Sequence, residues 1–167
     1  MNGSSPPQVR IELVRADVTG RVEKDPVLSG TRLVKTLGPR WRDVLKQGQA
    51  KRAADRAVIF QQGDHGASLV FVLAGHVRLF ARKDTDTVEL GLAHAGDVVG
   101  EAEALTGKGP RAMSAVASGV VELLEVDRTH LFSLGQPVGR ALEQWLGELQ
   151  AQRLKALDEM TDFLNRW

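Results

Sequence analysis

Two charged residues stand in a setting suited to chemistry: Glu101, directly after Gly100, and Arg111, at the end of a Gly107-Lys108-Gly109-Pro110-Arg111 loop. A guanidinium is a planar fork that matches two oxygens on one phosphorus, and a carboxylate can accept from a sugar hydroxyl. The run Gly100-Glu101-Ala102-Glu103-Ala104-Leu105 favours a helical turn straight after an apolar strand end. Amides at the start of such a turn are unpaired and favour an anion. A sugar acceptor and an anion donor flanking one recess fit a nucleotide. Spacing alone favours a plainer account, in which Glu101 and Arg111 pair with each other at the surface.

The elements that must position these residues are legible as a change of period. Val9, Ile11 and Leu13 alternate with Arg10 and Glu12, as in a short half-buried strand. From Thr31 to about Lys46 the apolar residues Leu33, Val34, Leu37, Trp41, Val44 and Leu45 recur at three and four, interrupted by Gly38-Pro39. That pattern predicts a helix, a break and a second helix. Between Ala57 and Val126, short apolar runs punctuated by glycine predict strands at Val58-Phe60, Leu69-Leu73, His76-Arg82, Thr87-Ala93, Val98-Val99, Ser114-Ala117 and Val120-Val126. Asp127 can cap a short helix, and a long helix runs from about Pro137 to Trp167. The expected fold is mainly β with flanking helices, an antiparallel β-roll (jelly roll) with N-terminal helices and a long C-terminal helix. Residues 1–30 read as an N-terminal extension, 31–136 as the roll with its preceding helices, and 137–167 as a lid or dimerisation helix.

Composition narrows the function. The chain has 167 residues, enough for one well-cored domain. Lys and Arg number 22 against 21 Asp and Glu, so no global positive field favours nucleic acid or anionic lipid. Cysteine is absent, which removes disulfides, thiolate metal sites and cysteine nucleophiles. No apolar run reaches the roughly 20 residues of a membrane helix, and the Asn/Gly/Ser/Pro start lacks a signal-peptide plan. The expectation is a cytoplasmic protein that binds neither membrane nor nucleic acid.

The stretch from Ile59 to Val126 resembles the cyclic-nucleotide-binding domain shared by the catabolite activator family and the regulatory subunits of cyclic-AMP-dependent protein kinase. The matching residues are Ile59-Phe60-Gln61-Gln62-Gly63-Asp64, Val72-Leu73-Ala74-Gly75-His76-Val77-Arg78-Leu79, Gly96-Asp97-Val98-Val99-Gly100-Glu101, and Pro110-Arg111-Ala112 with Ala115-Val116-Ala117. The resemblance implies a ligand set of Val99, Gly100, Glu101, Ala102, Arg111 and Ala112, with Glu101 on the ribose, and Arg111 and the Ala112 amide on the cyclic phosphate. The eleven-residue step from Gly100 to Arg111 looks like the bacterial regulators more than the kinase subunits. Ala112 lacks the hydroxyl that guanine-selective relatives carry, so cyclic AMP is expected before cyclic GMP, with no cofactor or metal. Asp158, on the long helix near Leu157 and Thr161, is the candidate for the adenine amino group. Two departures bear on affinity. Ala102 replaces a large aliphatic residue, and Glu103 replaces a small one, where a carboxylate would repel phosphate unless it pointed to solvent.

Leu142, Leu146, Leu149, Arg153, Ala156, Met160, Phe163 and Trp167 form a heptad seam broken by Arg153. A helix of roughly 30 residues is about 45 Å long and outreaches so small a domain, so a homodimer through this helix is expected. The resemblance implies that the same helix lids the ligand and passes its signal to an effector protein. In the activator family a helix-turn-helix module follows, whereas this sequence stops at Trp167, which speaks against a transcription factor. Two rivals remain. A metal-dependent jelly-roll enzyme would need clustered imidazoles, but His65, His76, His94 and His130 are scattered in sequence, and no nucleophile with an adjacent base can be assembled. The second is an interaction scaffold with a silent pocket, or a receptor for another nucleotide such as cyclic di-GMP.

Overall fold

The computed structural model describes residues 10–166. A short strand β1 (Ile11–Leu13) leads into four helical segments, α1 (Val18–Lys24), α2 (Pro26–Ser29), α3 (Arg32–Leu37) and α4 (Trp41–Leu45). The side chains of Asp17, Asp25 and Thr31 accept from first-turn amides of α1, α2 and α3. Such caps satisfy donors that a helix start leaves unpaired. Gly38-Pro39 does break the helix, as a single 3-10 turn between α3 and α4.

The strands β2 (Gln49–Ala53), β3 (Val58–Phe60), β4 (Leu69–Lys83), β5 (Asp86–Ala93), β6 (Val98–Val99) and β7 (Ser114–Val126) complete an antiparallel sheet. Its order is β1-β2-β7-β4-β5, with β3 also on β7 and β6 on β4. One helix, α5 (Glu101–Thr106), interrupts the roll between β6 and β7, and α6 (Arg128–Leu131) and α7 (Val138–Asn165) follow it. This is the predicted antiparallel β-roll with flanking helices and a long C-terminal helix.

The sheet is buried on both faces where β4 meets β7. Leu69, Phe71 and Leu73 of β4 and Leu124 of β7 face the helices, against Leu28, Leu33, Leu45, Leu142 and Leu146. Their neighbours Val70, Val72 and Leu123 face into the roll, against Phe60, Val77, Leu79 and Val99. Successive side chains point to opposite faces of a strand, so the unbroken apolar run Leu69-Leu73 supplies two cores at once.

Four readings change. Leu69-Leu73 and His76-Arg82 are one strand, bulged where the β4–β7 register shifts around Ala74. Gly75 sits there at φ +88°, and a Cβ on it would lie 2.5 Å from the Val120 carbonyl oxygen, so a side chain would force the strands apart. Ser114-Ala117 and Val120-Val126 likewise join as β7. Strand β2 was not visible in its Gln-Ala-Lys-Arg-Ala sequence because Ala53 is its one buried residue. Finally, within residues 1–30, Val22 of α1 and Leu28 of α2 are fully buried in the same core as Leu33, so the expected boundary at 30/31 falls within a run of helices sharing one core. The expected strand residue Val9 lies outside the described residues.

Candidate nucleotide-binding site

Strand β6 delivers the chain to Gly100, which adopts a left-handed conformation (φ +83°, ψ 22°) at the start of α5. A Cβ there would come within 2.6 Å of Arg111 Nη1 and 3.0 Å of the Ser68 carbonyl oxygen, so glycine is what lets the guanidinium lie against this turn. Arg111 is anchored through its own backbone. Its N–H donates to the Asp64 carbonyl (2.8 Å), and its carbonyl accepts from the Gly63 N–H (2.9 Å). The Gln62-Gly63-Asp64 segment of the sequence pattern thus fixes where Arg111 sits.

The Arg111 side chain is 4% exposed. Nη2 donates to both the Ser68 carbonyl and its Oγ at 3.0 Å, and Nη1 faces Glu103 Oε1 at 3.3 Å and the Gly100 carbonyl at 3.5 Å. The guanidinium carbon lies 4.4 Å from the Phe60 ring centroid, a cation–π stack. Beside it opens a crevice of about 260 Å³, whose lining includes His65, Ser68 and Glu125.

Glu103 therefore does not point to solvent. Its side chain is 5% exposed and salt-bridged to Arg111. Burial pushes its carboxyl above the ordinary value of 4.5, against the opposing pull of Arg111 and of the Ala112 backbone N–H. Glu101 is also buried, 2% exposed, and it accepts a charge-assisted bond from Arg153 Nη1. Arg153 reaches across from α7 and spends its other terminal nitrogen on the Val98 carbonyl, 2.7 Å away.

Of the predicted ligand set, Val99, Gly100, Glu101, Ala102, Arg111 and Ala112 converge on this turn and the loop facing it. Val99, Gly100, Glu101 and Arg111 are buried, Ala102 is half-buried and Ala112 is exposed. The surface pairing of Glu101 with Arg111 is not what forms, since Glu101 takes the half-buried Arg153 and Arg111 takes the buried Glu103. Asp158 is not brought in. It lies on an exposed stretch of α7, and the preceding residue, Leu157, packs against the roll interior instead. Thr161 directs its hydroxyl to the Leu157 carbonyl within the helix. The sequence reading missed Ser68, for which no pattern existed, and Arg153, whose signal was its place as the lone break in the heptad seam.

The histidines are less scattered in space than in sequence. His76 of β4 and His94, just after β5, meet with Nδ1 atoms 3.0 Å apart. Among the described residues, no group of three or more His, Cys, Asp or Glu side chains could hold a metal ion. Among the described residues, no helix is long and apolar enough to cross a membrane.

Comparison with curated proteins finds no match. Solved structures do match. The catabolite activator protein of Thermus thermophilus is 31% identical with a TM-score of 0.62, over 84% of this chain and 63% of that one. The regulatory domain of Toxoplasma gondii PKA, solved with cAMP, is 21% identical with a TM-score of 0.66, over 78% of this chain and 51% of that one. The c-di-GMP responsive global regulator CLP of Xanthomonas campestris is 24% identical with a TM-score of 0.63, over 74% and 62%. The last two share the fold, and this chain spans between half and two thirds of each of the three. A family model for the cyclic nucleotide-binding domain matches residues 50–136, the segment that carries β3 to β7, Gly100, Glu101 and Arg111, and the chain belongs to that family.

Proposed function

We propose that the chain is a receptor domain for a cyclic nucleotide, cyclic AMP before cyclic GMP, which signals through α7 to an effector protein. The observation that carries this reading is Arg111, whose backbone is held by Asp64 and whose buried guanidinium is held by Ser68 and Phe60 against the Gly100-Glu101 turn, where the family pattern puts the phosphate. Ala112 adds no hydroxyl beside it, which supports adenine over guanine. The path from pocket to helix is the bond between Glu101 and Arg153. A ribose that uses the Glu101 carboxylate takes it from Arg153 and loosens the hold on α7. The exposed Leu154, Met160, Phe163 and Leu164 beyond it support a homodimer through this end of the helix.

The test is calorimetry of the whole chain against cyclic AMP, cyclic GMP and cyclic di-GMP. Micromolar or tighter binding of cyclic AMP, worth about 8 kcal/mol, with weaker cyclic GMP, is the expected result. A second reading, a scaffold with a silent pocket, is favoured by one observation: Arg111 and Glu101 already have internal partners. No heat with any of the three nucleotides would establish that reading instead.

A further inference from the structure

Glu103 is a buried charge for which nucleotide recognition has no use. It stands on the first turn of α5, two residues after Glu101, and turns inward. Its Oε1 accepts from Arg111 Nη1 at 3.3 Å, and the Ala112 backbone N–H favours its charged form. These are the same two donors that the cyclic phosphate is expected to use. A carboxylate and a phosphodiester look alike to them, since each presents one negative charge shared over two oxygens on one atom.

We propose that Glu103 is a tethered competitor for the anion subsite: its carboxylate engages Arg111 Nη1, and the nucleotide binds by displacing it. The proposal rests on the receptor reading above and adds what controls the site. Two anions cannot share one desolvated guanidinium, because a like charge at this range in a low-dielectric site is strongly repulsive. Glu103 must therefore swing out or take up a proton when phosphate arrives. Leaving also restores the hydration that burial has removed, and α5 opens toward the exposed residues Thr106, Gly107 and Lys108. A site with a small residue at 103 would meet no such competition, so this chain should bind more weakly than its Arg111 alone suggests, and more tightly as the pH falls.

The charged and titratable groups around Glu103 define what else could respond to pH. Arg111 and the Ala112 amide face it from the loop, and Glu101, on its own turn, is engaged by Arg153 of α7. Behind Arg111 lie Ser68, then Glu125 of β7 paired with Lys51 of β2 at 2.6 Å. His65 lines the crevice beside Arg111. It is a second titratable group at the site, so the pH series has to be run with Glu103 both present and neutralised.

The experiment is calorimetry of the whole chain, of Glu103→Gln and of Glu103→Ala, with cyclic AMP, cyclic GMP and cyclic di-GMP, at about pH 8 and about pH 5.5. Circular dichroism checks that each protein is folded. Glutamine keeps a neutral acceptor for Arg111, and alanine leaves the guanidinium on Ser68 and the Gly100 carbonyl. The expected result at the higher pH is at least about tenfold tighter binding by both variants, equivalent to roughly 1.4 kcal/mol. The parent should gain affinity at the lower pH, and Glu103→Gln should not. If the parent binds and Glu103→Gln matches it at both pH values, the competitor is overturned and the receptor reading stands. If parent and variants are folded and none binds, the receptor reading falls and takes the competitor with it. Should both variants fail to fold, the parent alone decides, since affinity that is flat with pH overturns the proposal.

Discussion

Arg153 divides α7 into two regions of opposite character. Before it, Leu142 and Leu146 are fully buried, and Trp145 and Leu149 pack against the same core. This half also lies against α5, where Gly147 faces the Leu105 side chain. After it, contact with the roll thins to Leu157, while Leu154, Met160, Phe163 and Leu164 are between 42% and 60% exposed. The two halves continue a single heptad pattern, so residue type does not separate them. What separates them is cover: over the 28 residues, about 42 Å, the first turns lie on the core and the last leave their apolar side chains exposed. The lesson is that one apolar seam can serve two partners, here the domain's own core first and an uncovered face second, with a charge tied to the pocket at the junction.

The largest test of this division is a pair of equivalent truncations. Leu146→Ala should cost about 2 to 5 kcal/mol of folding stability, the range for a buried leucine that leaves a cavity. Phe163→Ala, read at concentrations low enough for the chain to be single, should stay within about 0.5 kcal/mol, as exposed substitutions do. Urea unfolding of both reads the difference, and a Phe163→Ala cost near that of Leu146→Ala would erase the distinction between the halves. Next in size is the junction. Arg153→Ala leaves the buried Glu101 carboxylate without its partner and should cost about 1.5 to 3 kcal/mol, the range for a hydrogen bond to a charged group. Arg153→Lys should recover part of it, since a point charge can face Glu101 but cannot also hold the Val98 carbonyl.

The third test concerns the far half alone. Met160→Glu with Phe163→Glu should leave the fold's own stability nearly unchanged, yet shift light scattering from twice the chain mass to the chain mass. A parent that already scatters as a single chain would show that this face has no second copy on it. Leu149→Glu is the contrasting variant. Read from the seam alone, it would belong to the same interface, but Leu149 packs internally, so the charge should unfold the domain instead.

How much of this was legible beforehand follows from which residues announce themselves. The roll could be read because its strands are short apolar runs closed by glycine, and the Gly100-Glu101 and Arg111-Ala112 pairs stood in a recognisable spacing. Strand β2 could not, since it gains its place by hydrogen bonding between β1 and β7 and buries little beyond Ala53. The pairings inside the site were hidden for a different reason. Glu103 was visible as an anomaly, but the direction of a side chain depends on where Ser68 and Arg111 come to lie, and those are 35 and 8 positions away in the chain. The same limit applied to Asp158, where a shift of one position on a helix decides between the roll and solvent.

The smallest expected effect is a titration that should touch only the anchored half. Glu103 has its carboxyl raised by burial above the ordinary 4.5, partly offset by Arg111, so the folded chain holds that proton more tightly than the unfolded one. Its contribution to stability is then fully present below the ordinary value and is lost as pH rises through the raised one. Four other carboxylates act with the opposite sign, among them Asp43 and Glu89, lowered at the surface by Arg40 and Arg78. Glu122 is lowered by its bond to Arg21. Glu125, though burial alone would raise it, is lowered net by Lys51 and Ser68. Their stabilisation is present above the ordinary value and is lost as pH falls through their depressed ones. Between the ordinary value and the raised Glu103 value, Glu103 therefore acts with little opposition, and mild acidification from neutral pH should raise thermal stability before stronger acid lowers it. Glu103→Gln should remove the rise and keep the fall. Because Glu103 lies on α5, against the near half of α7, amide exchange corrected for its intrinsic pH dependence should slow over residues 138–149 and stay unchanged over 154–165. A rise that persists in Glu103→Gln would assign the proton to another group, and equal slowing in both halves would mean that α7 moves as one piece rather than as two.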